Sequence, residues 1–290
     1  MESTKVLGTS RSPKINELTE EVIRQGRRRV QRDRVTKVLA PVGVVLLALV
    51  LWQAAVVVFE LPKYLLPAPT DVILDIFENG AVIWEHSLVT LNEVVIGYAI
   101  AVVVGLGFGV LLSQSKFAEQ ALYPLIVATQ AMPKSALAPL FLIWFGFGIE
   151  PKVAVVFLIS FFPIVVAAAI GLTSVEEEKR HLAALSGLNR RQTFMKISLP
   201  QALPSIFGGL RIGVTLAVVG AIVGEFVGAT EGLGYLLIVG ANSLNTARVF
   251  SVLIALTVMG IVLFAAMSAI EDLAIPWHVS KRRQLPSAGQ

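Results

Sequence analysis

Ser174-Val-Glu-Glu-Glu-Lys-Arg-His-Leu-Ala-Ala-Leu-Ser-Gly-Leu-Asn-Arg-Arg-Gln-Thr-Phe-Met-Lys-Ile-Ser-Leu-Pro200 is a polar stretch between two long apolar ones. Its residues read as a helix–turn–helix. Ser174 suits an N-cap with Glu177 as its capping-box partner, and Glu176 to Glu178 place negative charge at the positive end of a helix dipole. Gly187 suits a left-handed C′ position, and Asn189 can start a second short helix that Pro200 ends. Flanked by apolar spans, this segment must emerge on one face of a bilayer as a compact charged knob. A membrane protein with such a knob can use it to dock a soluble partner.

The surrounding composition requires a bilayer. Mean hydropathy is +0.76, 55% of the 290 residues are hydrophobic and 15% are charged, well below the roughly 25% of soluble domains. There is no cysteine, which excludes disulfides, thiolate catalysis and cysteine metal sites. Six stretches reach the ~20 residues a transmembrane helix needs: Val38–Phe59, Thr90–Leu112, Ala121–Phe145, Val153–Thr173, Ile206–Ala229 and Val249–Ile270. The first, long and without a small-x-small cleavage site after it, reads as a retained anchor. The expected architecture is all-α: a basic tail over residues 1–37, a six-span domain over 38–272 with the polar segment 174–200 between its fourth and fifth spans, and a second tail over 273–290.

Charge bias sets the orientation. Seven Lys/Arg lie between Arg24 and Lys37, and Lys281-Arg282-Arg283 follow the last span. Lys179, Arg180, Arg190, Arg191 and Lys196 belong to the polar segment, whereas the alternate loops carry only Lys63, Lys152 and Arg248. Both termini and the knob therefore belong on the cytoplasmic side. Arg27-Arg28-Arg29 is juxtamembrane topogenic charge rather than a nucleic-acid site. The largest outer loop, 61–89, is expected to start extended at Pro62, Pro67 and Pro69, to hold a short interfacial helix at Asp71–Phe77, and to present Asp71, Asp75, Glu78 and Glu85 to solvent.

Small residues mark packing faces, since lipid gives no hydrophobic drive between spans. Gly97, Ala101, Gly105 and Gly109 recur every four residues, as do Gly209, Gly213, Ala217 and Ala221, with Gly220, Gly224 and Gly228 beside them. They serve ordinary helix packing or, in a sharper reading, a sliding or dimer surface. The third span is interrupted by Pro124, Pro133 and Pro139 and carries Lys134 near its middle. A lysine at that depth costs at least ~2.5 kcal/mol on insertion scales. It either pairs with Glu93 or Glu225, or with carbonyls freed by Pro133, or lines a pathway. Lys134, Gln130 and Glu225 are the candidate pathway residues.

No Gly-x-x-x-x-Gly-Lys-Ser/Thr loop occurs, so energy from ATP would have to come from another subunit. His86, His181 and His278 are scattered, and no cofactor or metal is called for. A passive channel or secondary transporter would need a selectivity ring or a proton-relay chain, and an intramembrane enzyme a cluster of His, Asp or Glu at depth. The chain offers neither.

Gly187 followed by Ile197, Leu199 and Pro200 resembles the cytoplasmic loop of permease subunits from binding-protein-dependent ABC importers, which runs Glu-Ala-Ala, three residues, Gly, nine residues, Ile-x-Leu-Pro. Here His181, Leu182 and Ala183 occupy the first three positions, so the Glu and first Ala are replaced. Leu65-Leu66-Pro67-Ala68-Pro69, Pro133-Lys134-Ser135-Ala136-Leu137-Ala138-Pro139-Leu140 with Trp144-Phe145-Gly146, and Gly224-Glu225-Phe226-Val227-Gly228-Ala229 with Gly232-Leu233-Gly234-Tyr235 resemble the branch that imports nitrate, sulfonates, taurine and thiamine- or riboflavin-type compounds. The likeness spans about residues 40–275. It implies a permease homodimer, two cytoplasmic ABC ATPases and an extracytoplasmic binding protein. It also implies an ATPase-coupling role for His181, Leu182, Ala183, Leu185, Gly187, Leu188, Ile197, Leu199 and Pro200, with Phe194 a further apolar anchor. The third- and fifth-span wording resembles vitamin or vitamin-precursor permeases (riboflavin or thiamine-pyrimidine type) more than those for a sulfonate, taurine or nitrate.

Overall fold

The structure is a computed structural model that describes residues 42–277. The whole expected tail 1–37, most of the tail 273–290 and the first four residues of the first expected span lie outside the described residues. Every regular element among those described is helical. The chain divides into two compact units, up to Leu61 and from Pro62 onward. The first contributes α1 (Val42–Val58), an apolar helix of 17 residues. Just beyond it, Glu60 has a φ of 48°, which rules out continuation of the helix.

The second unit is built on three long helices. α2 (Pro69–Gln114) has 46 residues, about 69 Å at 1.5 Å per residue. This corrects the expectation of an outer loop with a short interfacial helix, because the helix starts at Pro69 and runs unbroken into the second span. Proline suits a first turn, whose N–H has no intrahelical partner anyway. Asp71 completes the start by accepting the Ala68 N–H at 3.3 Å and pairing with Lys63 at 2.8 Å.

The expected third span is not one helix. It is divided into α3 (Lys116–Gln130), a 3₁₀ turn (Lys134–Leu137) and α4 (Ala138–Phe145). Pro133 sits at the break in an extended conformation, and Pro139 occupies the first turn of α4; each lacks the N–H that would continue an earlier helix.

α5 (Glu150–Thr173) lies between α2 and α8 (Leu199–Glu225) and makes the most extensive contacts of the unit with both. The small-residue stripes make these contacts possible. A Cβ on Gly105 would lie 2.9 Å from the Ile164 side chain, and one on Gly220 would lie 2.9 Å from the Val156 Cα. Gly97 and Gly109 meet Val156 and Ala168 in the same way. The stripes are thus occupied by packing within the chain, and the core consists of Val94, Tyr98, Ala101, Ile164, Ala168, Val214, Ala217 and their neighbours. Two hydrogen bonds fix the register: Tyr98 OH donates to Leu210 O at 2.8 Å, and Ser205 Oγ to Ala167 O at 3.0 Å.

α9 (Leu233–Asn242) folds back where an outer loop was expected, and α10 (Thr246–Ala274) closes the unit. Four helices of the described residues are long and apolar enough to cross a membrane: α2, the continuous helix Arg190–Glu225, α5 and α10.

Candidate functional site

The polar segment and the opposite end of the bundle both concentrate side chains with specific partners. In the polar segment, α5 does not hand over to a Ser174 N-cap. Ser174 remains helical, with φ −70° and ψ −2°, and its hydroxyl donates back to Gly171 O at 2.9 Å, so it ends α5 rather than starting α6 (Glu177–Leu185). The turn after α6 follows the sequence. Gly187 has φ +75° and Leu188 N–H donates to Ala183 O at 3.0 Å, the six-to-one closure of a Schellman turn.

Asn189 then caps α7 (Arg190–Thr193) reciprocally: Asn189 Oδ1 accepts Gln192 N–H, and Gln192 Oε1 accepts Asn189 N–H, both at 2.9 Å. Pro200 does not end this helix, contrary to expectation. A π-helical turn over Phe194–Ser198 precedes it, in which Leu199 N–H reaches Phe194 O, and the helix runs on into α8. A proline in the interior of an α-helix removes one donor; the widened turn shifts the bonding pattern ahead of it, and the helix continues.

The expected coupling residues separate by exposure. Leu182 is 65% exposed and Leu185 86%, on one face of α6, while Ala183 is buried beneath them. Leu188, Ile197, Leu199 and Pro200 are half-buried, and Phe194 packs on the core. Met195, which the sequence reading left out, is 53% exposed. The side chains of His181 and Gln130 lie outside those described.

At the other end of α5 and α8 lies a buried polar network. Lys152 Nζ donates to Glu93 Oε1 at 2.6 Å, with both side chains buried. Lys152 is thus the ion-pair partner of Glu93. Glu225, 1% exposed, accepts the backbone N–H groups of Gly234 and, at 3.3 Å, of Tyr235 at the start of α9. Its other oxygen lies 2.6 Å from Thr90 Oγ1, which itself accepts Leu233 N–H at 2.8 Å. A carboxylate under the first N–H groups of a helix is held there by the helix dipole.

Two further contacts seat this turn. His86 Nδ1 accepts Gly232 N–H at 2.8 Å, and its ring stacks on Tyr235 with centroids 6.0 Å apart. Gly232 has φ +109°, and a Cβ there would collide with the Glu225 carboxylate. α2, α5, α8 and α9 therefore meet in a single network.

The remaining charges have their own places. Lys134 Nζ lies 5.0 Å from the centre of the Phe162 ring. Arg211 pairs with Glu271 at 3.2 Å. Asp75 is buried, not solvated as expected, and holds Arg248 at 3.0 Å.

The fold has known counterparts. The fold is similar to that of a chain in the inward-facing methionine ABC transporter, with a TM-score of 0.58 and 19% identity over 69% of this chain and 97% of that one. Residues 100–277 match the binding-protein-dependent transport system inner membrane component, and the chain belongs to that family. It is 38% identical over 241 residues to the formylaminopyrimidine transport permease protein of Halalkalibacterium halodurans, covering 83% of this chain and 96% of the relative. It is 36% identical over 242 residues to the riboflavin transport system permease protein of Chloroflexus aurantiacus, covering 83% and 90%. The chain is thus the permease component of an ABC importer.

Proposed function

We propose that this permease imports a vitamin or vitamin precursor of the aminopyrimidine or flavin type. The observation that carries the reading is the identity above one third, along more than four fifths of the chain, to permeases named for those two compounds. In this reading the chain crosses the membrane six times, with α1 and the α3–α4 segment as the two crossings besides the four long helices. Both termini and the Ser174–Pro200 segment face the cytoplasm, which agrees with the Lys/Arg bias.

The permease acts as a homodimer with two cytoplasmic ATPase subunits, and an extracytoplasmic binding protein delivers the solute. Ser174–Pro200 couples them: exposed Leu182 and Leu185 seat in the ATPase, Arg190 and Arg191 lie at the rim, and the Gly187 turn sets the angle between α6 and α7. Closure of the ATPases then moves α7 and α8 as a rigid body. Glu225 holds α9 in place rather than lining the route.

The test is gentle extraction of the tagged complex from native membranes, followed by ATP-dependent uptake in vesicles. Co-purification of an ATPase and a binding protein carrying a pyrimidine or flavin is the expected result. Uptake of taurine, a sulfonate or nitrate by the same complex would refute the substrate reading. Transport that persists without an ATPase would refute the importer reading.

A further inference from the structure

The break between α3 and α4 is open on one side. Ala131, Met132, Pro133, Ser135 and Ala136 are exposed there, Met132 by 49%. Its depth follows from α5, a helix of 24 residues that is long and apolar enough to cross a membrane. At 1.5 Å per residue α5 spans about 36 Å, and Phe162 is at its midpoint. Lys134 Nζ lies 5.0 Å from the centre of the Phe162 ring, so the break is level with the middle of the bilayer.

Lys134 and Ser135, neighbours in sequence, differ in their surroundings. Lys134 is half-buried against α5, where an ammonium over an aromatic face is a favourable contact that ties the break to its neighbour. Ser135 is exposed. The Pro133 carbonyl accepts Ala136 N–H at 2.9 Å. Among the described residues, nothing bonds the carbonyls of Ala131 and Met132 or the Ser135 hydroxyl.

Hydrocarbon does not tolerate this surface. Each backbone polar group left without a partner in lipid costs several kcal/mol, and non-helical backbone at such depth occurs only against protein or a water-filled cavity. A second copy across a nearby two-fold axis would set the same surface opposite itself. Carbonyls would then face carbonyls, and two acceptors cannot bond each other. Water or solute between them satisfies both.

We propose that residues 131–136 line the solute route at mid-membrane, between two copies of this chain. The Ala131 and Met132 carbonyls and the Ser135 hydroxyl receive an uncharged solute that carries N–H donors. Aminopyrimidines and flavins have such donors, whereas nitrate offers acceptors only and gains nothing from a carbonyl. The proposal deepens the reading above and rests on its paired, six-crossing arrangement.

The chain has no cysteine, so single thiols report directly. Ser135→Cys is compared with Val103→Cys, which lies 74% exposed on α2 two residues from Gly105, where α2 packs on Ile164 at a similar depth. Both are placed in the assembled permease–ATPase–binding protein complex in lipid nanodiscs and treated with a permanently charged methanethiosulfonate. Only a thiolate reacts, and apolar surroundings keep a thiol protonated. Labelling at position 135 should be at least about tenfold faster than at 103, the effect of one unit of thiol pKa. It should slow severalfold when 4-amino-2-methylpyrimidine or riboflavin is present during ATP turnover. Ala136→Cys decides the matter if Ser135→Cys does not assemble.

Labelling as slow as at Val103→Cys would overturn the route, and so would a disulfide between copies formed in place of labelling. Either result in a complex that still imports its solute would leave the importer reading intact. Fast labelling that none of the solutes slows would overturn the solute contact. Protection by taurine or nitrate in place of the pyrimidine and the flavin would overturn both the donor preference and the substrate reading.

Discussion

Removing the carboxylate of Glu225 should release α9 from the bundle without unfolding it. In Glu225→Ala the buried Gly234 N–H loses its acceptor, which costs about 1–3 kcal/mol. The negative charge at the α9 N-terminus is lost as well, worth up to ~2 kcal/mol when partly buried. Tyr235, bonded at 3.3 Å, adds little, and Thr90 keeps the His86 carbonyl at 3.2 Å. The sum is about 3 kcal/mol, or about 100-fold in the equilibrium for local opening.

Glu225→Gln keeps an oxygen for Gly234, and its amide can donate to Thr90 Oγ1, so only the charge is lost and the cost falls to about 1 kcal/mol. Hydrogen–deuterium exchange over residues 226–240 of the purified complex reads both. The expected order is fast exchange at Leu233 to Tyr235 in the alanine variant, a much smaller change in the glutamine variant, and no change in α5. Equal exchange in the two variants, or protection unchanged from the parent, would refute the assigned role.

Four other outcomes follow from the packing and the proposed coupling. Lys152→Met leaves Glu93 buried and unpaired and should destabilise the complex by about 3–5 kcal/mol, with much of this recovered on adding Glu93→Leu; additive losses in thermal denaturation would count against the pair. Leu182→Glu with Leu185→Glu should leave expression and melting temperature unchanged and abolish co-purification of the ATPase; retained ATP-dependent uptake would end the coupling role. Gly187→Val forces a β-branched residue to φ +75° and should cost at least about 1 kcal/mol and lower coupled ATP hydrolysis, with hydrolysis at the parent rate as the contrary result. Gly109→Leu should prevent α2 from seating against Ala168 and reduce the folded yield, visible as aggregation in size-exclusion chromatography.

What could be read from the sequence was local. The apolar character of α2, α5, α8 and α10, the Gly187 turn and the Asn189 start each depend on residues a few positions apart. Ser174 and Pro200 were misplaced because each has two lawful roles, and only the continuation of the neighbouring helix selects between them. The partner of Glu93 lies 59 positions away and that of Glu225 135 positions away, and nothing local specifies either.

Some signals for the network were nevertheless present. Thr90 and Glu93 are three apart on one helical face, and Gly232-Leu233-Gly234, following Glu225, can expose backbone N–H groups to a carboxylate. His86 and Tyr235 carried no comparable mark. The break at Pro133 was legible as a weak point in a span but not as a division into three helical pieces.

The continuity of the helix from Arg190 to Glu225 has a mechanical consequence. Its 36 residues reach about 54 Å, so a tilt of only about 5° at the α7 end displaces the far end by about 5 Å. That far end is the seat of α9. In the proposed coupling the two ends of this helix are the handle and the load of one lever, with α5, on which the glycines of α8 pack, as its bearing. The widened turn at Phe194–Ser198, next to the handle, is the element most able to yield: a single-residue deletion there should rotate the handle by about 100° relative to the shaft, and transmission would fail with both ends still intact.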